Sequence, residues 1–294
     1  LPTLEALASA PEDRLLKLWE GLGYYNRVRN LQKAAKRVVD EFHGTLPASA
    51  AELRTLPGIG EYTAGAIASI AFGLAEPAVD GNVLRVFARV MEIPGSMTDP
   101  GTRRELSEAL RRIYPADRCG DFTQSLMELG ATVCLPNGAP LCGECPLAEE
   151  CLARRNQTIS RYPKKEKKTS RRVEKKTVLL LRCGGLCAFR RRGKNGVLAG
   201  LWEFPNLDGE STETVLREFL RERRIEPLSI RRSVNGIHIF SHLEWHMVSW
   251  RILCREPVPE FRWADRETLD RDLSLPAAWK GFVDAAFDQS DSES

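Results

Sequence analysis

The chain has 294 residues, with 43 Lys/Arg against 40 Asp/Glu and a formal net charge of +3. That is enough chain for two domains with a core each, and no apolar run in it is long enough to span a membrane. Its eight cysteines are unevenly spaced, which excludes the framework of a small secreted disulfide domain and points to a reducing, intracellular setting.

The sequence opens on Leu1 rather than Met and is already within a helical pattern there, with no signal peptide visible. Up to about residue 155 it reads as helical: apolar residues recur at three- and four-residue spacing over 15–22, 31–42, 63–72, 83–91, 104–113 and 122–133, with Gly or Pro between. Two segments stand out. Residues 19–31 read WEGLGYYNRVRNL, a flexible turn carrying rings, which is the composition of a wedge between base steps. Residues 56–83 read LPGIGEYTAGAIASIAFGLAEPAVDGNV. Here Pro57-Gly58-Ile59-Gly60 joins two helical patterns, and Gly58 and Gly60 permit a positive-φ turn whose N–H groups can approach a phosphate. About twenty residues on, Asp80-Gly81-Asn82 sets a lone carboxylate on a turn that opens the next helix, a place that also suits an N-cap.

Cys134, Cys142, Cys145 and Cys151 form C-x7-C-x2-C-x5-C in a Pro/Gly-rich loop after the 122–133 helix. Four such thiolates suit a tetrahedral zinc or a cubane iron–sulfur cluster, and spacing does not choose between them. Residues 156–176 read as a basic linker. Between Arg161 and Lys176 stand nine Lys/Arg and two Glu, a net +7 that leaves −4 for the rest of the chain. Such a strand lends salt-dependent affinity for a phosphate backbone. Beyond it the texture changes. Residues 177–181 form a continuous strand-like run, 212–224 an amphipathic helix, and 237–253 an alternating segment rich in aromatic and β-branched residues. The expected organisation is an all-α domain over 1–155 with its cysteine loop at 134–151, an α+β domain over 177–287, and a frayed acidic tail over 288–294.

Taken together, GLGYY, LPGIG-x-YT, VDGNV, the cysteine quartet, GLWEFP at 200–205 and Phe240-Ser241-His242 resemble the helix-hairpin-helix DNA glycosylases over nearly the whole chain. Within them the match is to the adenine-specific, MutY-type branch. The endonuclease III branch carries a Schiff-base Lys two residues after the second hairpin Gly; here that position is Tyr62, which implies hydrolysis without lysine-mediated strand cleavage. The resemblance implies an all-α helix-hairpin-helix glycosylase domain with an iron–sulfur cluster loop, followed by an α+β Nudix-like domain. It implies a monomer that removes adenine mispaired with 8-oxoguanine or guanine from double-stranded DNA in base-excision repair. Asp80 would stabilise or capture the oxocarbenium-like sugar, with Tyr62 and Asn82 as hydrogen-bonding neighbours. Gly58 and Gly60 would grip the backbone. Tyr24 would wedge beside the orphaned partner base with Leu22 against it, while Tyr25 anchors the turn to the core. Cys134, Cys142, Cys145 and Cys151 would hold a [4Fe–4S] cluster, although the family's usual first gap is six residues rather than seven. Phe240, Ser241 and His242 would read 8-oxoguanine through a hydroxyl and a ring nitrogen.

Two departures from the pattern matter. The family's leaving-group acid is a Glu on a helix upstream of the segment that begins here at Leu1, and Glu61, Glu76 and Glu128 stand in other contexts. The expectation is an N-terminally incomplete chain that binds DNA poorly and excises little. The Nudix box keeps Arg217-Glu218 and Glu222, but Gly209, Arg221 and Arg224 stand where it requires Glu, Glu and Gly. A magnesium-dependent nucleotide pyrophosphohydrolase is therefore disfavoured, and a recognition module expected. The remaining alternative is a non-catalytic DNA-binding scaffold.

Overall fold

The computed structural model describes residues 1–164 and 170–288, so the expected linker is described only in part, and of the expected acidic tail only Asp288. The chain divides into two compact units, one from Leu1–Ser9 and Asn30–Lys168, the other from Ala10–Arg29 and Thr169–Ser294. The division of 1–155 from 177–287 is thus redrawn in one respect, because Ala10–Arg29 packs with the second unit. The reason is polar. Lys17 Nζ donates to the carbonyls of Leu269 and Leu273 at 3.1 and 2.9 Å, Arg29 donates to Ala199 O at 2.7 Å, and Arg191 pairs with Asp13.

Three helices open the chain, α1 (Leu4–Ser9), α2 (Glu12–Leu18) and α3 (Asn26–Glu41). The helix expected over 15–22 ends at Leu18, because Gly21 and Gly23 take φ of +89° and +64° and carry Leu22 and Tyr24 onto a loop. The rest of the first unit is helical, with α4 (Ala50–Leu53), α5 (Glu61–Phe72), α6 (Gly81–Val90), α7 (Pro100–Arg111), α8 (Cys119–Glu128), a π-helical turn at Leu129–Val133, and α9 (Leu152–Arg155). Two apolar clusters hold it. Ala34, Val38, Leu53, Leu56, Ala64 and Ala68 pack the hairpin formed by α4 and α5 against α3. Val83, Leu84, Val86 and Phe87 pack α6 against Leu106, Leu110, Leu126 and Leu129. Burial of each such leucine contributes about 1.5–3 kcal/mol, so α6 is the best-anchored helix of the unit.

The second unit is a seven-stranded mixed sheet of β1 (Arg172–Cys183), β2 (Leu186–Arg191), β3 (Trp202–Glu203), β4 (Asn206–Asp208), β5 (Pro227–Ile239), β6 (Leu243–Cys254) and β7 (Arg262–Ala264). Its order is β3-β2-β1-β6-β5, with β4 paired to β1 and β7 to β2. The pairing of β1 with β6 is parallel, in register Val178↔Ser249. The apolar run in β1 is continuous because both faces are covered. Val178 and Leu180 meet Trp245, Trp279 and Phe282 on one side, and Leu179 and Leu181 meet Leu216 and Leu220 of α10 (Glu213–Glu222) on the other. Short helices α11 (Arg266–Asp272), α12 (Ala277–Lys280) and α13 (Val283–Phe287) close the first face. Two expectations are corrected here. The first strand begins at Arg172, inside the stretch read as linker, because its backbone pairs with β6 while Arg172 and Lys175 stay exposed and the buried Lys176 is paired with Asp208. The alternating segment at 237–253 is two strands, the end of β5 and most of β6, turned back at Phe240–His242.

Candidate glycosidic and DNA-binding site

In the first unit the hairpin turn is built by one glycine more than by two. Gly58 takes φ +80°, and a Cβ on it would lie 2.7 Å from Asn30 Cβ. Gly60 does not share that conformation. It is extended at φ −85°, ψ −177°, faces open space, and precedes α5 with no side-chain cap. The first N–H groups of α5 are therefore left without a side-chain cap at an exposed helix start, which favours an anion there. Tyr62 stands in that first turn, 42% exposed.

Asp80 caps α6. Its Oδ1 accepts from Val83 N–H at 2.8 Å and its Oδ2 from Asn82 Nδ2 at 2.9 Å. Capping and a chemical role are compatible, since the cap fixes the carboxylate while leaving it half-buried. Asn82 joins Asp80 directly, whereas the Tyr62 hydroxyl makes no hydrogen bond to either. Arg85, which sequence reasoning passed over, holds Asn82 in place. Its Nη2 donates to Asn82 Oδ1 at 2.8 Å and to Gly130 O at 2.7 Å, and its Nε to Cys134 O at 2.8 Å. Burial pushes its guanidinium below the usual range. One turn on, Arg89 donates to Cys134 Sγ at 3.2 Å, Leu135 O at 3.0 Å and Tyr162 O at 3.1 Å. The signal in the sequence was a pair of arginines at i, i+4 in a helix whose other positions are nearly all apolar, leaving no solvated face for them. Replacing Arg85 with Gln strands the Cys134 and Gly130 carbonyls, at about 1–3 kcal/mol per unmet buried group. The expected result is a thermal midpoint several degrees lower and slower excision, read by melting and single-turnover kinetics.

Cys134, Cys142, Cys145 and Cys151 line one cavity, walled by Val86, Val90, Val133 and Ile159. Burial, reinforced by the three neighbouring thiols, pushes the Cys145 thiol up. Among the described residues no three His, Cys, Asp or Glu side chains converge as a single ion would require.

In the second unit the Trp19–Tyr25 loop presents Leu22 and Tyr24 to solvent, Tyr24 being 74% exposed, while Tyr25 is buried. The Tyr24 hydroxyl lies 3.1 Å from Ser241 Oγ. The wedge candidate and the hydroxyl candidate thus form one surface. Phe240 anchors their loop, edge-on to Trp245 with centroids 4.8 Å apart and to His238 at 4.6 Å, while His242 is exposed. On α10 each carboxylate surviving from the Nudix box is tied to an arginine, Glu218 to Arg221 and Glu222 to Arg223. Paired in that way they are poor collectors of a divalent cation.

Residues 1–112 match the HhH-GPD superfamily of base excision DNA repair proteins, and residues 177–285 match the NUDIX domain. A helical hairpin unit with a capping carboxylate, followed by a mixed-sheet Nudix-like unit, defines a base-excision glycosylase class. The chain is 37% identical to the adenine DNA glycosylase of Homo sapiens, over 83% of this chain and 54% of that protein. It is 31% identical to the adenine DNA glycosylase of Buchnera aphidicola subsp. Schizaphis graminum (strain Sg), over 84% of this chain and 70% of that one. A solved thermostable thymine-DNA glycosylase is similar at 28% identity and a TM-score of 0.48, over 53% of this chain and 71% of that chain. The chain belongs to the adenine DNA glycosylase family. It spans just over half, 54%, of the human relative's length. The family relationship lends no support to the expectation that this chain by itself excises little.

Proposed function

We propose that the chain serves an adenine DNA glycosylase, which hydrolyses the bond between adenine and deoxyribose where adenine faces 8-oxoguanine or guanine in duplex DNA. The observation that carries this is Asp80, a carboxylate held by Val83 N–H and Asn82 at the start of α6, in a chain with Tyr62 rather than an amine after the hairpin. As the glycosidic bond lengthens, positive charge grows on the sugar, and a fixed anion stabilises that state more than the ground state. The anion can then capture the cation or orient the water that does. Adenine leaves with a proton from an acid other than Asp80. Gly58, Gly60 and the open end of α5 take a phosphate, while Tyr24 and Leu22 fill the space of the extruded nucleotide.

The four cysteines suit the [4Fe–4S] cluster that this family typically carries. All four line one shared cavity, and Arg89 supplies a hydrogen bond to the Cys134 sulfur. When bound, such a cluster would tie residues 134–151 into a fixed loop, and excision itself draws on Asp80.

The test is single-turnover adenine release by the intact protein from duplexes with adenine opposite 8-oxoguanine, guanine or thymine. Release is expected opposite the first two and fastest opposite 8-oxoguanine; equal rates on all three would refute the reading. Ser241→Ala removes the hydroxyl that meets Tyr24, and about a tenfold loss of the 8-oxoguanine preference is expected, with the rate opposite guanine little changed.

A further inference from the structure

Four hydroxyl and backbone links cross the interior of the first unit and end two residues before Asp80. Ser69 Oγ donates to Gly65 O at 2.7 Å inside α5. Thr123 of α8 donates to Ser69 Oγ at 2.8 Å. With the Thr123 proton so committed, the Tyr114 hydroxyl, 3.0 Å from Thr123 Oγ1, must be the donor of that pair. Its oxygen is then left to accept the N–H of Ala78, at 3.3 Å. Every proton in the chain has one direction. Ser69, Thr123 and Ala78 are buried, so each link made is a desolvation penalty avoided.

The same peptide is held from its other side. The Pro77 carbonyl rests on Gly65, so closely that a Cβ there would overlap its oxygen and lie 2.7 Å from its carbon. The Pro77–Ala78 peptide unit is therefore clamped at both ends, its C=O against α5 and its N–H against Tyr114. Tyr114 is in turn fixed edge-on to Phe122 of α8, with centroids 4.9 Å apart. Downstream of Asp80 the cap and Asn82 do the equivalent work.

From this geometry we infer that Tyr114 is a positioning residue for Asp80. Working through the Pro77–Ala78 peptide, it sets where the carboxylate stands relative to the sugar. The inference rests on the proposed role of Asp80. A displacement of a few tenths of an ångström at a fixed anion weakens its hold on a transition state while leaving ground-state DNA contacts alone. Tyr114 thus acts on rate and not on affinity.

The experiment compares the intact protein with Tyr114→Phe, which deletes the hydroxyl and keeps the ring on Phe122. Adenine release opposite 8-oxoguanine is expected to slow about tenfold. Affinity for a duplex carrying non-hydrolysable 2′-fluoro-2′-deoxyadenosine at that position is expected to stay as in wild type. Thr123→Val should slow release in the same way, and Thr123→Ser, which keeps the hydroxyl, should restore it. Hydrogen exchange at the Ala78 amide reads the clamp without catalysis and is expected to rise about tenfold in Tyr114→Phe. Wild-type release by Tyr114→Phe overturns the inference, as does unchanged exchange at Ala78, or a fall in rate matched by a fall in affinity. Asp80→Asn, run alongside, separates the two claims. If it releases adenine normally, the reading of Asp80 fails and this inference with it. If it is inactive while Tyr114→Phe releases adenine at the wild-type rate, the inference about Tyr114 alone fails.

Discussion

Asp80→Asn is expected to lower adenine release by about a thousandfold or more, equivalent to about 4 kcal/mol of transition-state stabilisation, while leaving the fold intact. The substitution isolates charge from structure. Asn caps a helix about as well as Asp, and its carbonyl can still accept from Val83 N–H, where Asp80 Oδ1 now does at 2.8 Å. The second contact is less forgiving. Asn82 Nδ2 donates to Asp80 Oδ2 at 2.9 Å, and Arg85 fixes the Asn82 amide by occupying its oxygen, so an amide at position 80 would set donor against donor. That costs about 1 kcal/mol of local stability, small beside the expected kinetic effect. A melting curve within a few degrees of wild type, with single-turnover release at background, is the predicted pair of results. Substantial release by Asp80→Asn would mean that another group meets the cationic sugar.

Much of this site was legible because its chemistry is local in sequence. The hairpin turn, the capping aspartate and the cysteine loop each occupy a short segment whose residue types have few other uses together. The second unit was legible in the same way, through the uninterrupted apolar run of β1, which only a strand covered on both faces tolerates. What escaped was whatever depends on distant partners. The apolar setting of Arg85 and Arg89 hints at burial, but their partner is hidden until Cys134, 49 and 45 residues on, is placed beside them. Tyr114 reaches an amide 36 residues away. The attachment of Ala10–Arg29 to the second unit rests on Lys17 finding carbonyls more than 250 residues further along. Gly60 departs from the expected turn for a different reason. Glycine serves both for positive φ and for leaving a helix start uncovered, and only the backbone shows that Gly58 does the first and Gly60 the second.

Gly65→Ala tests the other half of the arrangement around Asp80, and two opposing effects decide its sign. In the interior of a helix such as α5, Ala is favoured over Gly by about 1 kcal/mol, so propensity alone predicts a more stable protein. At this position the added Cβ would overlap the Pro77 carbonyl oxygen and stand 2.7 Å from its carbon and 3.2 Å from Ala78 N. All three atoms are backbone, so no change of rotamer relieves the contact, and overpacking of this kind costs about 1–3 kcal/mol. The clash outweighs the propensity, and a net loss of about 1 kcal/mol is expected, lowering the thermal midpoint by a few degrees. The kinetic loss should be larger than the stability loss implies, because the atoms forced to move lead directly into Asp80. Gly81→Ala is the control. Gly81 opens α6, and a Cβ there meets nothing within 4 Å, so propensity acts unopposed and the midpoint should hold or rise. A Gly65→Ala protein as stable and as fast as wild type would mean that α5 can retreat from the 77–80 segment, and that the carboxylate is located from its α6 side alone.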